Sequence, residues 1–180
     1  FGLHKAGKIV LPDQDQSAEL YEVTQAVTAD AGLPCYEVSN HARPGAESRH
    51  NLTYWRYGDY AGIGPGAHGR LTADRRKFAT ATHRTPEEWL KLVGEQGHGM
   101  VEREALESDE QADEMLLMGL RLREGLDLAR WSSLSGRGLD VEREEFLIHH
   151  GFIERLGNSR LRCTPSGMLI LDAVVADLAA

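Results

Sequence analysis

The sequence predicts a mixed α/β fold that gives way near residue 105 to a small, mostly helical module. Three observations predict it. A stretch with helical apolar spacing stops at Gly32 and leads through Pro34 into Tyr36, Glu37 and Val38, the helix, tight loop and strand order of a parallel α/β unit. From Thr85 onward, segments open on capping residues and close on glycines, as helices do. Near the end, two short β-prone runs flank Gly157, Asn158 and Ser159, which is hairpin chemistry.

The elements follow in order. The opening FGLHKAGKIVLPDQDQ reads as the tail of an earlier element and its loop, and with Phe1 in first place the chain reads as a fragment of a longer protein. Ala18, Leu20, Tyr21, Val23, Ala26 and Val27 give a helix from about Asp13 to Ala31 its apolar face. After the strand at Tyr36, further strands are expected from Tyr60 to Ile63, from Ala67 to Leu71 and from Lys77 to Thr80, with a turn at Asp74 and Arg75. Thr85, Pro86 and Glu88 read as N-cap, first-turn proline and capping-box acid of a helix carrying Trp89, Leu90, Leu92 and Val93. Ser108 and Gln111 repeat the capping-box pattern ahead of Ala112, Met115, Leu116, Gly119 and Leu120, with Gly125 as the stop.

Two more helices are expected near Asp127 to Leu134 and Asp140 to His150. The strands Phe152 to Leu156 and Arg160 to Thr164 come next, then a final helix opened by Thr164 and Pro165. Helices, a hairpin and a closing helix make a winged-helix-like module. Such modules often bind DNA, but the recognition-helix position here carries Asp140, Glu142, Glu144 and Glu145 against Arg143 alone, and phosphate would be repelled.

Composition narrows the function classes. The 180 residues are 41% hydrophobic and 27% charged, enough to bury a core in one domain or two small ones. A formal net charge of -8 argues against nucleic-acid partners, which need clustered Lys and Arg to displace counterions. Ile9, Val10 and Leu11 are too short a run for a signal peptide, and nothing approaches a membrane span, so a cytoplasmic setting is expected. Cys35 and Cys163, the only cysteines, are far apart, which fits neither a disulfide framework nor a zinc site.

The run from Tyr36 to Arg70 crowds His, Asn, Tyr, Trp and Gly into one stretch without sustained periodicity, the composition of a ligand-binding region. Within it, Gly62, Gly64 and Ala67 formally satisfy the dinucleotide pattern, but Pro65 and the HGRL that follows read as loop and strand. The helix N-terminus needed for a pyrophosphate is missing. These glycines allow close backbone approach, to a ligand or to another segment. His50, Asn51, Tyr54 and Trp55 form an H-N-x-x-Y-W element whose imidazole could ligate iron and whose rings could flank a planar macrocycle, or which could be structural. His41 and His68 lie in the same stretch, whereas His149 and His150 at a helix end need no site. The loop SNHARPGAES follows a strand end, where α/β folds place ligands, and Arg43 and Arg49 could hold carboxylates there or pair with nearby acids.

YEVSNHARPGAESRHNLTYW, DYAGIGPGAHGRL and DEMLLMGLRLREGL together resemble the carboxyl-terminal half of the HemW haem-chaperone family, one branch of the oxygen-independent coproporphyrinogen III oxidase-like proteins. The most specific element is His50 to Trp55, which in this family separates haem-binding proteins from true coproporphyrinogen dehydrogenases. The resemblance implies the last strands and helices of a partial (β/α) radical S-adenosylmethionine barrel, with its extension, over residues 1–104. The family's small C-terminal domain is implied over residues 105–180. It implies a parent protein with a [4Fe-4S] cluster, S-adenosylmethionine and a haem that passes to a recipient protein. His50 is then a haem-binding residue and iron-ligand candidate, with Asn51, Tyr54 and Trp55 beside the haem. By position, Ala42 resembles a residue whose backbone lies near S-adenosylmethionine.

The family's Cys-x-x-x-Cys-x-x-Cys motif belongs to an amino-terminal half not included here, which Cys35 and Cys163 cannot replace. A complete eight-stranded barrel takes about 250 residues, so the amino-terminal half is an expected partner. The rival expectation is an oxygen-independent coproporphyrinogen III oxidase, with Arg43 or Arg49 gripping a propionate.

Overall fold

A short helix, α1 (Gly2–Lys5), precedes a long one, α2 (Gln14–Asp30), in the computed structural model, which describes residues 2–179. The chain divides into two units, residues 1–47 and residues 48–180. In the first, Asp13 accepts from the Gln16 N–H at 2.8 Å, and the Asp13 N–H donates back to the Gln16 side chain at 3.2 Å, closing a capping box. Gly32, at φ 75°, ends the helix where expected. Strand β1 (Cys35–Glu37) follows, but it turns back at Val38 and Ser39 and pairs antiparallel with β2 (Asn40–His41). The parallel pairing expected here is absent among the described residues, because a tight reversal permits only antiparallel neighbours. Leu20, Val23 and Val27 lie along one stripe of α2 and are exposed.

The second unit opens on α3 (Arg49–Trp55), capped by Ser48, whose hydroxyl accepts from the Asn51 N–H. The strand expected from Tyr60 to Ile63 reduces to a single bridge between Tyr60 and Arg70; Gly62, Gly64 and Gly66 interrupt any longer ladder. Strands β3 (His68–Ala73) and β4 (Arg76–Thr82) form a hairpin whose turn residues, Asp74 and Arg75, both take positive φ, as a turn matched to strand twist requires. Helix α4 (Pro86–Gln96) leads to β5 (Met100–Ala105), which adds antiparallel to the other edge of β4. This strand was not expected: half of MVEREA is charged, and its pairing partner supplies what the sequence pattern lacks. The capping box expected at α4 also fails, since the Thr85 side chain makes no cap bond.

The terminal module comprises α5 (Ser108–Gly119), β6 (Leu126–Asp127), α6 (Leu128–Ser135), α7 (Val141–His149), β7 (Ile153–Leu156), β8 (Arg160–Cys163), α8 (Pro165–Leu169) and α9 (Leu171–Ala179). The mixed α/β class and the winged-helix-like ending both hold. The α5 capping box is built one residue early, by Glu107 and Glu110. The wing hairpin gains β6 as a third strand, in the order β6-β8-β7, and the single final helix expected is broken at Ile170. The core is apolar: Leu116, Leu120, Leu126, Trp131, Leu161 and Leu178 are all fully buried. The Trp131 indole N–H donates to the Ala112 carbonyl at 2.9 Å, so its one polar atom is satisfied. Gly125 sits at φ 77°, and a Cβ there would meet the Leu161 carbonyl oxygen at 2.5 Å, so this corner admits only glycine.

A polar cluster ties this module to α3 and the β3–β5 sheet. Glu114 of α5 accepts from the Tyr57 hydroxyl at 2.9 Å and from Arg70 through Nε at 2.9 Å and Nη2 at 2.6 Å. Tyr57 is buried and holds φ 54°, unusual for a bulky side chain. Arg130 of α6 donates to the Tyr57 carbonyl at 2.8 Å and to the Arg56 carbonyl, while Arg56 makes a two-pronged pair with Glu124 at 2.7 Å each. Lys77 reaches Asp59 at 2.9 Å and lies 4.3 Å over the Tyr57 ring. Burial alone would raise the Glu114 carboxyl, but the Arg70 and Tyr57 hydrogen bonds outweigh it and hold the group below its usual range. Burial, with the Glu114 charge beside it, pushes the Tyr57 phenol well above its ordinary value.

A carboxyl depressed by folding stabilises the fold above its unfolded pKa and loses that contribution as pH falls through the folded value. Glu114→Gln should therefore cost about 1–3 kcal/mol at pH 7, and the gap to the parent chain should narrow below about pH 4. Urea unfolding across that pH range checks both. Leu116→Ala should cost about 2–5 kcal/mol by the same measurement, whereas Val141→Ala, at an exposed position, should stay within about 0.5 kcal/mol.

Candidate functional site

Helix α3 is short, and it sorts the sequence-predicted residues by face. His50 and Tyr54, one turn apart, share one row of the helix, His50 exposed and Tyr54 half-buried, with ring centroids 5.3 Å apart at 80°. Tyr54 also meets Trp55 edge-on at 5.3 Å and Tyr60 at 5.9 Å, so aromatic rings surround it. His50 is exposed, with its imidazole open to a ligand. Asn51 sits at the capped end, where its side-chain oxygen accepts from the Ser48 hydroxyl at 3.1 Å.

Trp55 points differently. It is half-buried, with the Arg121 guanidinium 5.7 Å over its ring. It lines a cavity of about 100 Å³ together with Met115, Leu122, Glu124, Arg130 and Arg160. Its indole N–H is buried with no hydrogen-bond partner among the described residues. An orphan donor against a cavity of this size leaves room for a water or a small acceptor.

Ala42 belongs to the first unit, following β2, and its N–H donates to the Pro34 carbonyl at 3.1 Å. In the same unit Asn40 donates to Glu37, and His41 lies 3.2 Å from the Gln25 side chain, so the expected binding loop is partly tied to itself. Arg43 and, at the start of α3, Arg49 are exposed. His68 lies exposed on β3. The glycine loop has a packing role at Gly62, where a Cβ would fall 2.4 Å from the His68 carbonyl oxygen, and it leads into strand β3 rather than a helix. That geometry suits backbone contact and does not suit a dinucleotide.

The residues that hold the site in place were not read from the sequence. Glu114 is 57 positions from Tyr57 and 44 from Arg70, and Arg130 is 73 from Tyr57, so no local pattern marks them. Only the density of polar aromatics in WRYGDY hinted that Tyr57 was more than filler. The Cys163 thiol does not suit a metal. Cys163 is buried, and burial pushes its thiol up to about 12, against formation of the thiolate a metal needs. Among the described residues no three His, Cys, Asp or Glu side chains converge as a metal site. No described helix is long and apolar enough to cross a membrane.

Comparison with known proteins gives this geometry its context. Residues 106–170 match the family described as HemN C-terminal domain. The chain is 37% identical to the mouse "Radical S-adenosyl methionine domain-containing protein 1, mitochondrial" over 189 residues, covering 99% of this chain and 42% of the relative. It is 37% identical to "Heme chaperone HemW" of Mycobacterium tuberculosis over 174 residues, covering 97% and 42%. The chain thus spans well under half the length of these curated relatives. Its fold matches that of coproporphyrinogen III oxidase (HemN) from Escherichia coli, with a TM-score of 0.67 at 16% identity over 94% of this chain and 42% of that one. Aligned along nearly its whole length with HemW proteins and carrying a HemN C-terminal domain, the chain belongs to the HemW-like family as its carboxyl-terminal part.

Proposed function

We propose that this chain is the haem-holding part of a HemW-like protein that passes haem to a recipient protein. One observation carries the reading: an exposed imidazole, His50, stands edge-on to Tyr54 on a helix fixed from behind by Ser48, Arg121 and the Glu114 cluster. The donor set fits haem. The imidazole would offer a nitrogen to iron, and the Tyr54 and Tyr60 rings would flank the macrocycle. Asn51 would orient the helix end. Trp55, turned toward α5, would set the helix position more than touch the haem face.

In the whole protein we place residues 1–104 at the end of a radical S-adenosylmethionine barrel and residues 105–180 as the C-terminal domain, with the backbone near Ala42 beside S-adenosylmethionine. Two cysteines far apart in sequence do not supply the thiolates of a [4Fe-4S] cluster, and Cys163 is buried and disfavours its thiolate. Cluster ligands would have to come from the amino-terminal part of the parent. A cytoplasmic location agrees with the scarcity of cysteine, two in 180 residues. A second reading, oxidation of coproporphyrinogen, draws support from the fold shared with HemN and from Arg43 and Arg49, both exposed and able to grip propionates.

In the full-length protein, His50→Ala should shift the haem absorption spectrum and weaken haem binding by about tenfold or more, with Tyr54→Ala giving a smaller loss. An unchanged spectrum and affinity in His50→Ala would overturn the haem reading. Anaerobic turnover of coproporphyrinogen with reductant and S-adenosylmethionine would instead favour the second.

A further inference from the structure

A second cavity, of about 330 Å³, lies within the same unit and apart from the residues of the α3 row. One wall is the loop Ala61–Gly64, another the β3–β4 face at Leu71 and Thr80, and the third runs from Trp89 through His98 to Met100. Its volume is at the small end for ligand pockets, enough for a bicyclic ring or a medium acyl chain and too small for a tetrapyrrole.

The chemistry of the lining is specific. Ile63 is 87% exposed and Leu71 39% exposed, although both face a concavity whose other walls include Trp89, Val93 and Met100. Apolar surface left wet in a cleft is what an apolar ligand would cover. The Trp89 indole packs closely on Gly99, where a Cβ would fall 2.2 Å from the ring, so the absence of a side chain at this position is what gives the aromatic wall its place. The lining includes no Asp or Glu. Nδ1 of His98 accepts the Met100 N–H at 3.3 Å, which leaves the neutral ring's proton on Nε2. His98 is therefore a hydrogen-bond donor here in either charge state, and in this tautomer it offers no lone pair to a metal. The Thr80 hydroxyl, on the β4 wall, has no side-chain hydrogen bond among the described residues and is a second donor.

We propose that this pocket binds a small carboxylic acid, its apolar body against Trp89, Ile63 and Met100 and its carboxylate accepting from His98 Nε2–H and the Thr80 hydroxyl. Apolar walls, donors and no competing carboxylate together select an anionic acceptor on an apolar body. The glycine loop thereby acquires a use besides packing: Gly62 and Gly64 bring backbone close enough to close one side of the pocket. This site is independent of the haem reading.

Isothermal titration of the full-length protein with naphthaleneacetate, and with the neutral naphthylethanol of similar shape, tests the proposal. Saturable binding of the acid is expected. His98→Ala should weaken the acid by about tenfold and leave the alcohol within about twofold. Val93→Trp, which fills the cavity, should abolish binding of both, and circular dichroism would check that it folds. If it does not fold, nuclear Overhauser contacts between naphthyl protons and the Trp89 indole in the unsubstituted chain decide the location. No saturable binding, preference for the alcohol, equal weakening of both by His98→Ala, or contacts only elsewhere would each overturn the proposal.

Discussion

The Glu114 carboxylate accepts from the Tyr57 hydroxyl and the Arg70 guanidinium at once, and most of the second unit depends on that junction. Through Tyr57 it fixes the chain just after α3; through Arg70 it fixes β3; and it sits on α5, the first helix of the terminal module. Each group is largely shielded, so each would be costly alone: a buried carboxylate without donors, a phenol without an acceptor, a guanidinium without its anion. Held together they satisfy one another. Lys77 and Arg130 extend the arrangement by occupying the Tyr57 ring face and carbonyl, which accounts for a bulky residue kept at φ 54°.

This junction explains how a helix of 7 residues can be precise. So short a helix has little stability of its own in water, and α3 owes its position to Ser48 at one end and to Arg56, Tyr57 and Arg121 at the other. The consequence is a division of labour within H-N-x-x-Y-W. Trp55 packs against Arg121 and the small cavity, while His50 is exposed and Tyr54, half-buried among the rings of Trp55 and Tyr60, braces it. A motif that looks like a uniform cluster of ligand contacts is, in space, a supported edge and its support.

The matches to HemW proteins and to the HemN fold agree with this arrangement at different levels. The HemN C-terminal domain match begins at residue 106, two residues ahead of α5, the helix that carries Glu114. The junction therefore joins the domain to the segment before it, and the two are not independent modules strung on a linker. The glycine-rich loop sits on the same unit and forms part of a pocket, with Gly62 allowing a backbone approach that any side chain would block.

Much of the local structure was legible in the sequence. The long helix, the Asp74–Arg75 hairpin and the wing follow from capping residues, positive-φ turns and apolar period, because these signals act over a few residues. The same locality explains the misses. Tyr60 to Ile63 has strand composition but not the partner to sustain a strand, and MVEREA lacks strand composition but has β4 beside it. Helix α7 buries Glu144 because Arg155 of β7 meets it at 2.6 Å, a pairing no period reveals. The sequence by itself determined the inventory: an exposed-type histidine beside aromatics, a glycine loop, a helical module with a wing. Only the tertiary structure decided which way each member of the motif faces and what holds it, because those outcomes depend on hydrogen bonds between residues dozens of positions apart, whose closeness is fixed by packing rather than by spacing.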